Sequence, residues 1–203
     1  IGLIAKSQSN PVFIAARTGA EDAAVELGKK YGVEIKIEWR TPVSEDAQKQ
    51  AEAIEQLVAS GVDGIAISAS DAKVLTGAVN SAVDKGVPIV TFDSDIPQSK
   101  RFAYFGTDDV ACGKLLGDTL ADAMGKKGVV AILGGNQTAP NLQGRIRGVK
   151  DALKAYPDIT IKGEYYHAET PQDAVTKVEQ VQSANPDITG WAMVGGWPLF
   201  TAN

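Results

Sequence analysis

The sequence predicts an α/β protein of two doubly wound, parallel-sheet lobes joined by a hinge, and three of its features carry that expectation. Short apolar, β-rich runs recur along the whole chain. They are too continuous for half-exposed antiparallel strands and suit parallel strands covered on both faces. Segments of helical period lie between them, which favours βαβ units with right-handed crossovers. The rhythm of strand then helix breaks at one place, between Phe92 and Phe102.

The first strand is expected over Ile1–Ala5. A helix follows from Pro11, whose fixed φ suits a first turn, with Asn10 as its N-cap and Gly32 as its stop. Val33–Trp39 reads as the second strand. Ala47, Ala51, Ile54 and Val58 then fall on one stripe of a helix that ends at Gly61. Gly64–Ser68 is the third strand, a helix runs to Gly86, and Val87–Phe92 is the fourth strand. The loop Asp93-Ser94-Asp95-Ile96-Pro97-Gln98-Ser99-Lys100-Arg101 leaves no room for a helix before the strand Phe102–Gly106. Residues 103–107 are therefore expected to cross between lobes, spanning 1–103 and 104–203. In the second lobe a helix from about Val110 stops at Gly125 and leads into the strand Gly128–Leu133. Leu142, Ile146, Val149 and Leu153 repeat the helical stripe, and Ile159–Tyr166 is the next strand. Thr170-Pro171 opens a further helix, and Thr189–Val194 is the last strand.

Composition narrows the function. The 203 residues carry 20 Lys and Arg against 25 Asp and Glu, a net charge of -5, with the two signs interspersed. No basic block is present to neutralise a phosphate backbone, so nucleic acid is not an expected partner. No apolar run approaches the roughly 20 residues of a membrane span. Ile1 opens directly into an apolar segment, which a removed export signal and a cytosolic origin explain equally. One cysteine, Cys112, excludes an internal disulfide and is expected to be a small buried hydrophobe. One histidine, His167, excludes a multi-histidine metal centre and leaves a single imidazole for any hydrolytic triad. His167-Ala168-Glu169 lacks the downstream cysteines of a deaminase, and Gly113-Lys114 lacks the rest of a P-loop. No cofactor fingerprint occurs, and an enzyme is not expected.

Ligands of open α/β sheets collect beyond the carboxyl ends of the strands. The loops there are Lys6-Ser7-Gln8-Ser9-Asn10, Ser68-Ala69-Ser70-Asp71, Asp93-Ser94-Asp95, Gly134-Gly135-Asn136-Gln137-Thr138 and Gly195-Gly196-Trp197. Carboxylates, amides and hydroxyls beside an aromatic ring suit a neutral polyol. Each of its hydroxyls both donates and accepts, while its C–H face seeks an apolar wall.

These loops also carry a resemblance. Lys6-Ser7-Gln8-Ser9-Asn10-Pro11-Val12-Phe13 resembles the opening motif of the ribose-binding family of solute receptors. Ala66-Ile67-Ser68-Ala69, Pro88-Ile89-Val90-Thr91-Phe92-Asp93, Phe105-Gly106-Thr107-Asp108 and Gly144-Arg145-Ile146-Arg147-Gly148 resemble its later landmarks, in order. The likeness runs from Ile1 to about Phe200. It implies the type I periplasmic binding protein architecture, with solute held in a cleft between lobes. It also implies ligand contacts at Asn10, Phe13, Asp93 and Arg145. Lys6 resembles a lysine of the autoinducer-2 and rhamnose branch, which shares the Asp-Ser-Asp run. Ser94 stands where ribose receptors carry a second arginine, and Gly196-Trp197 replaces their Asn-Asp. Trp197 is thus a further expected contact, suited to a pentose other than ribose, a hexose, a deoxy-sugar or a polyol.

Family members continue beyond this length, so the second lobe and hinge are expected to be truncated here. The resemblance implies a monomeric receptor of an ABC-type sugar transporter, presented to a membrane permease. Its location would be periplasmic, or extracellular and membrane-anchored in a Gram-positive organism. The alternative is the effector-binding core of a lacI-type transcription repressor, which shares the fold.

Overall fold

The computed structural model describes residues 1–201. The chain divides into two compact units, the first Ile1–Gly106 and the second beginning at Thr107. Residues 104–106, which the sequence assigned to the second lobe, sit with the first unit.

The first unit runs β1 (Gly2–Ile4), α1 (Pro11–Tyr31), β2 (Glu38–Trp39), α2 (Ala47–Ala59), β3 (Ile65–Ile67), α3 (Ala72–Asp84), β4 (Ile89–Phe92) and β5 (Ala103–Phe105). Its sheet has the order β2-β1-β3-β4-β5, every pair parallel. The core gathers Ile4, Ile54, Leu57, Ile65, Ile67, Leu75, Val79 and Ile89, from the strands and from α2 and α3. Coverage is uneven. Val12, Ile14, Val25 and Leu27 of α1 are exposed, and α1 adds only Phe13 and Ala24 to the buried set.

The second unit runs α4 (Asp109–Ala123), β6 (Gly128–Gly134), α5 (Pro140–Leu153), β7 (Ile159–Tyr166), α6 (Pro171–Ala184), β8 (Gly190–Met193) and a single 3-10 turn over Trp197–Phe200. Its parallel sheet has the order β7-β6-β8. Val130, Ile132, Leu133, Leu142, Ile146, Val149 and Leu153 form its centre.

Local signals hold. Asn10 caps α1 through its side chain, and Thr170 does the same for α6. Gly32, Gly61, Gly86 and Gly125 all have positive φ just past helix ends, where a Cβ is costly. The second strand is shorter than the expected Val33–Trp39. It pairs with β1 at Gly2↔Glu38 and Leu3↔Trp39 only, and the Ile1 amine already caps the carbonyl of Lys36. Residues 33–37 take no regular strand conformation.

Cys112 is exposed, contrary to the expectation of a buried hydrophobe. The inward face of α4 belongs to Gly113 and Gly117, which are buried, and one residue's rotation of about 100° carries Cys112 off it. Gly113 faces Arg145 and Gly148 of α5 and Gly117 faces Val149 and Ala152, so closely that the helices meet backbone to backbone. A Cβ on Gly113 would lie 2.0 Å from the Arg145 carbonyl oxygen, and one on Gly148 would lie 2.2 Å from that of Val110.

Candidate functional site

In the first unit β1, β3 and β4 lie side by side and end together. Buried Gln50, reaching from α2, ties the first two ends. Its amide donates to the carbonyls of Ala5 at 2.9 Å and Ser68 at 2.8 Å, and accepts from the Ser70 N–H at 3.0 Å. Thr41 adds a further tie, its hydroxyl accepting from the Ala5 N–H at 2.8 Å. The loops that leave these strands start from fixed points.

Asp93, directly after β4, is the centre of this edge. Its φ of 57° lies in the left-handed region, which Asp tolerates better than most side chains. The Asp93 N–H donates to the Phe105 carbonyl at 3.1 Å, and the Tyr104 hydroxyl donates to the Asp93 carbonyl at 3.0 Å. The backbone is thus held on both sides of the residue. Its carboxylate accepts from the Ser68 hydroxyl at 2.7 Å, and the Lys6 ammonium lies 3.9 Å from the same oxygen. The Lys6 side chain is 3% exposed and that of Asp93 26%, so the cation is enclosed and the carboxylate reaches solvent. Strained backbone under a half-open carboxylate is a combination that accumulates at functional sites. Asn10 and Phe13 begin α1 just beyond β1; both are buried, and the Asn10 side chain accepts from the Val12 N–H at 3.0 Å.

The second aspartate of the loop has a different task. Asp95 accepts from the Thr91 hydroxyl, from the Ile96 N–H and from two nitrogens of Arg101, at 2.5 and 2.6 Å for the latter. Burial pushes its carboxyl up, but the hydrogen bonds from Arg101, Thr91 and the Ile96 N–H outweigh burial and hold it below the ordinary 3.8. The group therefore stabilises the folded loop fully above 3.8, and this contribution is lost as pH falls through the lowered value. Asp95→Asn is expected to lower the urea midpoint by a constant amount near neutrality, with the gap narrowing only below about pH 4. A gap that stayed constant to the acid limit would remove Asp95 from this role.

In the second unit Arg145 projects from α5. Its Nε donates to Asp109 at 2.9 Å and its Nη1 to the Val194 carbonyl at 3.1 Å. The guanidinium is thereby fixed between the start of α4 and the end of β8. Trp197 follows three residues later and is buried, its ring packed edge-on to His167 with centroids 4.8 Å apart. The ring lies across glycine backbone: a Cβ on Gly195 would meet it at 1.9 Å and one on Gly135 at 2.7 Å.

The structure thus brings Lys6 and Asp93 into contact and places Asn10 and Phe13 at the start of the helix following β1. It ties Arg145 to the strand end that leads to Trp197. The sequence had not singled out Gln50, Ser68 or Asp109 as supports of these positions, nor Arg101 as the partner of Asp95. Among the described residues, no group of three or more His, Cys, Asp or Glu side chains is close enough to hold a metal ion. No helix among them is long and apolar enough to cross a membrane.

The architecture is shared with known proteins. The chain is 30% identical to the ribose import binding protein of Bacillus subtilis, over 93% of this chain and 59% of that protein. It is 32% identical to the D-ribose/D-allose-binding protein of Pseudomonas aeruginosa, over 76% of this chain and 50% of that one. It therefore spans little more than half the length of these relatives. Among solved structures, an ABC transporter solute-binding protein from Burkholderia graminis, in complex with D-arabinose, superposes with a TM-score of 0.87 at 31% identity. That match covers 97% of this chain and 65% of the other. A periplasmic solute-binding protein from Actinobacillus succinogenes with bound D-allose gives 0.79 at 29% identity, over 96% and 68%. The model of the periplasmic binding protein domain matches residues 1–202, and the chain belongs to that family.

Proposed function

We propose that this chain is the solute-binding part of a receptor for an ABC-type importer, taking a monosaccharide or polyol and catalysing nothing. The observation that carries this is the Asp93 clamp. A carboxylate sits at the carboxyl edge of a parallel sheet, its backbone fixed by Tyr104 and Phe105 and its charge balanced by enclosed Lys6. Such a group accepts hydrogen bonds from vicinal hydroxyls and gives a neutral polyol a charged anchor. Lys6, Asn10 and Phe13 complete the proposed contacts of the first unit; Arg145, as donor, and Trp197, as apolar wall, are those of the second. The sugars bound by the arabinose and allose complexes support this class of ligand.

The receptor's partner is proposed to be a membrane permease. The proposed state is a monomer without nucleic acid, located in the periplasm or anchored outside the cell. The repressor-core alternative shares the fold, but the relatives named above are import and solute-binding proteins. Calorimetric titration of the full-length protein with aldopentoses, aldohexoses, deoxy-sugars and polyols is expected to give saturable binding for one class. A folded protein that binds none of them would overturn the proposal.

A further inference from the structure

We infer that His167 is an additional solute-binding group of the second unit, its Nε2 an acceptor for one solute hydroxyl and Trp197 its removable cover. This rests on the sugar-receptor proposal and adds a residue that the family resemblance did not supply.

The tautomer follows from the backbone. His167 Nδ1 lies 2.8 Å from the Ala168 carbonyl oxygen, which can only accept, so Nδ1 carries a proton and donates. In the neutral ring Nε2 is then left as the lone-pair nitrogen. That atom is buried and has no hydrogen-bond partner, on a residue only 8% exposed. Buried acceptors are ordinarily satisfied, and one that is not calls for a reason. Here location offers one. His167 is the first residue after β7, on the carboxyl edge of the β7-β6-β8 sheet, where parallel sheets collect ligands.

What packs against the imidazole is the Trp197 indole, buried in the second unit's core but carried on a single short turn. The Trp197 indole meets the ring edge-on, 83° between planes, from a four-residue 3-10 turn. The end of that turn is exposed, with Leu199 at 83% and Phe200 at 48%. The slot beneath the indole is floored by Gly135 and Gly195, where any Cβ would collide with it. Glu169 borders the same slot and is itself fixed by the Asn136 N–H at 3.0 Å. A shift of the turn uncovers Nε2 while the sheet stays intact. The arriving hydroxyl then satisfies the buried acceptor Nε2, and the displaced indole is available to the solute's C–H face.

The test uses the full-length protein, the sugar or polyol that binds it best, and the set of its mono-deoxy analogues. His167→Phe keeps a ring against Trp197 but removes the acceptor. It is expected to weaken the parent solute about tenfold, as loss of one hydrogen bond to a neutral partner does. One deoxy analogue should bind the wild type and His167→Phe equally, because it lacks the hydroxyl concerned. His167→Gln, whose amide oxygen reaches the place of Nε2, should recover most of the affinity. A parent affinity for His167→Phe within twofold of the wild type refutes the inference, and so does equal weakening of every analogue. Should His167→Phe fail to fold, the imidazole 15N resonance of Nε2 in the wild type decides. A shift on adding the parent solute, absent with the matching deoxy analogue, supports the contact; an unmoved resonance refutes it. A wild type that binds no solute at all removes the receptor proposal and this inference together. A wild type that binds while His167→Phe is indifferent removes this inference alone.

Discussion

Asp93→Ala is expected to cut solute affinity by about two to three orders of magnitude while leaving the protein folded. Hydrogen bonds to a charged group contribute about 1.5–3 kcal/mol each, and a sugar can offer the carboxylate two hydroxyls. The loss of about 3–4 kcal/mol corresponds to a few hundredfold in Kd. Asp93→Asn separates charge from shape. Asn accepts the left-handed backbone as readily and can still receive the Ser68 hydroxyl, so the clamp around residue 93 should survive. Its neutral amide should nevertheless weaken binding by at least about tenfold, because neutral acceptors form weaker hydrogen bonds than carboxylates. Calorimetry on the full-length protein checks both variants. Asp93→Asn or Asp93→Ala protein that was folded and bound solute within a factor of three of the wild type would show that the anchor lies elsewhere.

Gly148→Ala should be among the most damaging single-methyl additions in the chain. The new Cβ would stand 2.2 Å from the Val110 oxygen, 2.7 Å from the Lys114 nitrogen and 2.9 Å from the Gly113 carbonyl carbon. All three are backbone atoms, so no side chain can turn aside and α4 must part from α5. Overpacking of this kind typically costs 1–3 kcal/mol, and backbone collision puts this case at about 3 kcal/mol or more. The same separation would draw Asp109, on α4, away from Arg145, on α5, and so damage the second unit's site as well. Gly77→Ala is the matched control. Gly77 lies inside α3 with nothing near its would-be Cβ, so alanine should stabilise by about 0.5–1 kcal/mol. Urea midpoints of the two variants should move in opposite directions. Equal midpoints would mean that the close helix pair is not a constraint.

What was legible in the sequence is what is local. Apolar runs marked the strands, most plainly the central β1, β3 and β6, which bury both faces for most of their length. By contrast, β4 and the start of β7 alternate more and less buried positions. Pro11 and Pro171 marked helix starts and the positive-φ glycines marked helix stops, because each acts on its own backbone. What escaped depended on distant partners. Arg145 and Asp109 are 36 positions apart, and no spacing rule joins them. Asp93 and Asp95 look alike in sequence, yet the second is bound by Arg101 while the first meets Ser68 and Lys6. On α2 the stripe was drawn through Ala47, Ala51, Ile54 and Val58, whereas Gln50, Ala53, Ile54 and Leu57 are the buried set. A hydropathy pattern counts glutamine as surface. It turned the helix away from the side chain that binds two strand ends together.

The left-handed backbone at residue 93 also restricts how the proposed receptor can diversify. Glycine, asparagine and aspartate are the residues that enter that conformation at low cost, and of these only aspartate carries a charge. Backbone and chemistry impose separate filters on one codon, and a single amino acid passes both. New ligand preferences are therefore reached most cheaply by changing other proposed contacts, such as Lys6 or Trp197, with the proposed anchor itself left untouched.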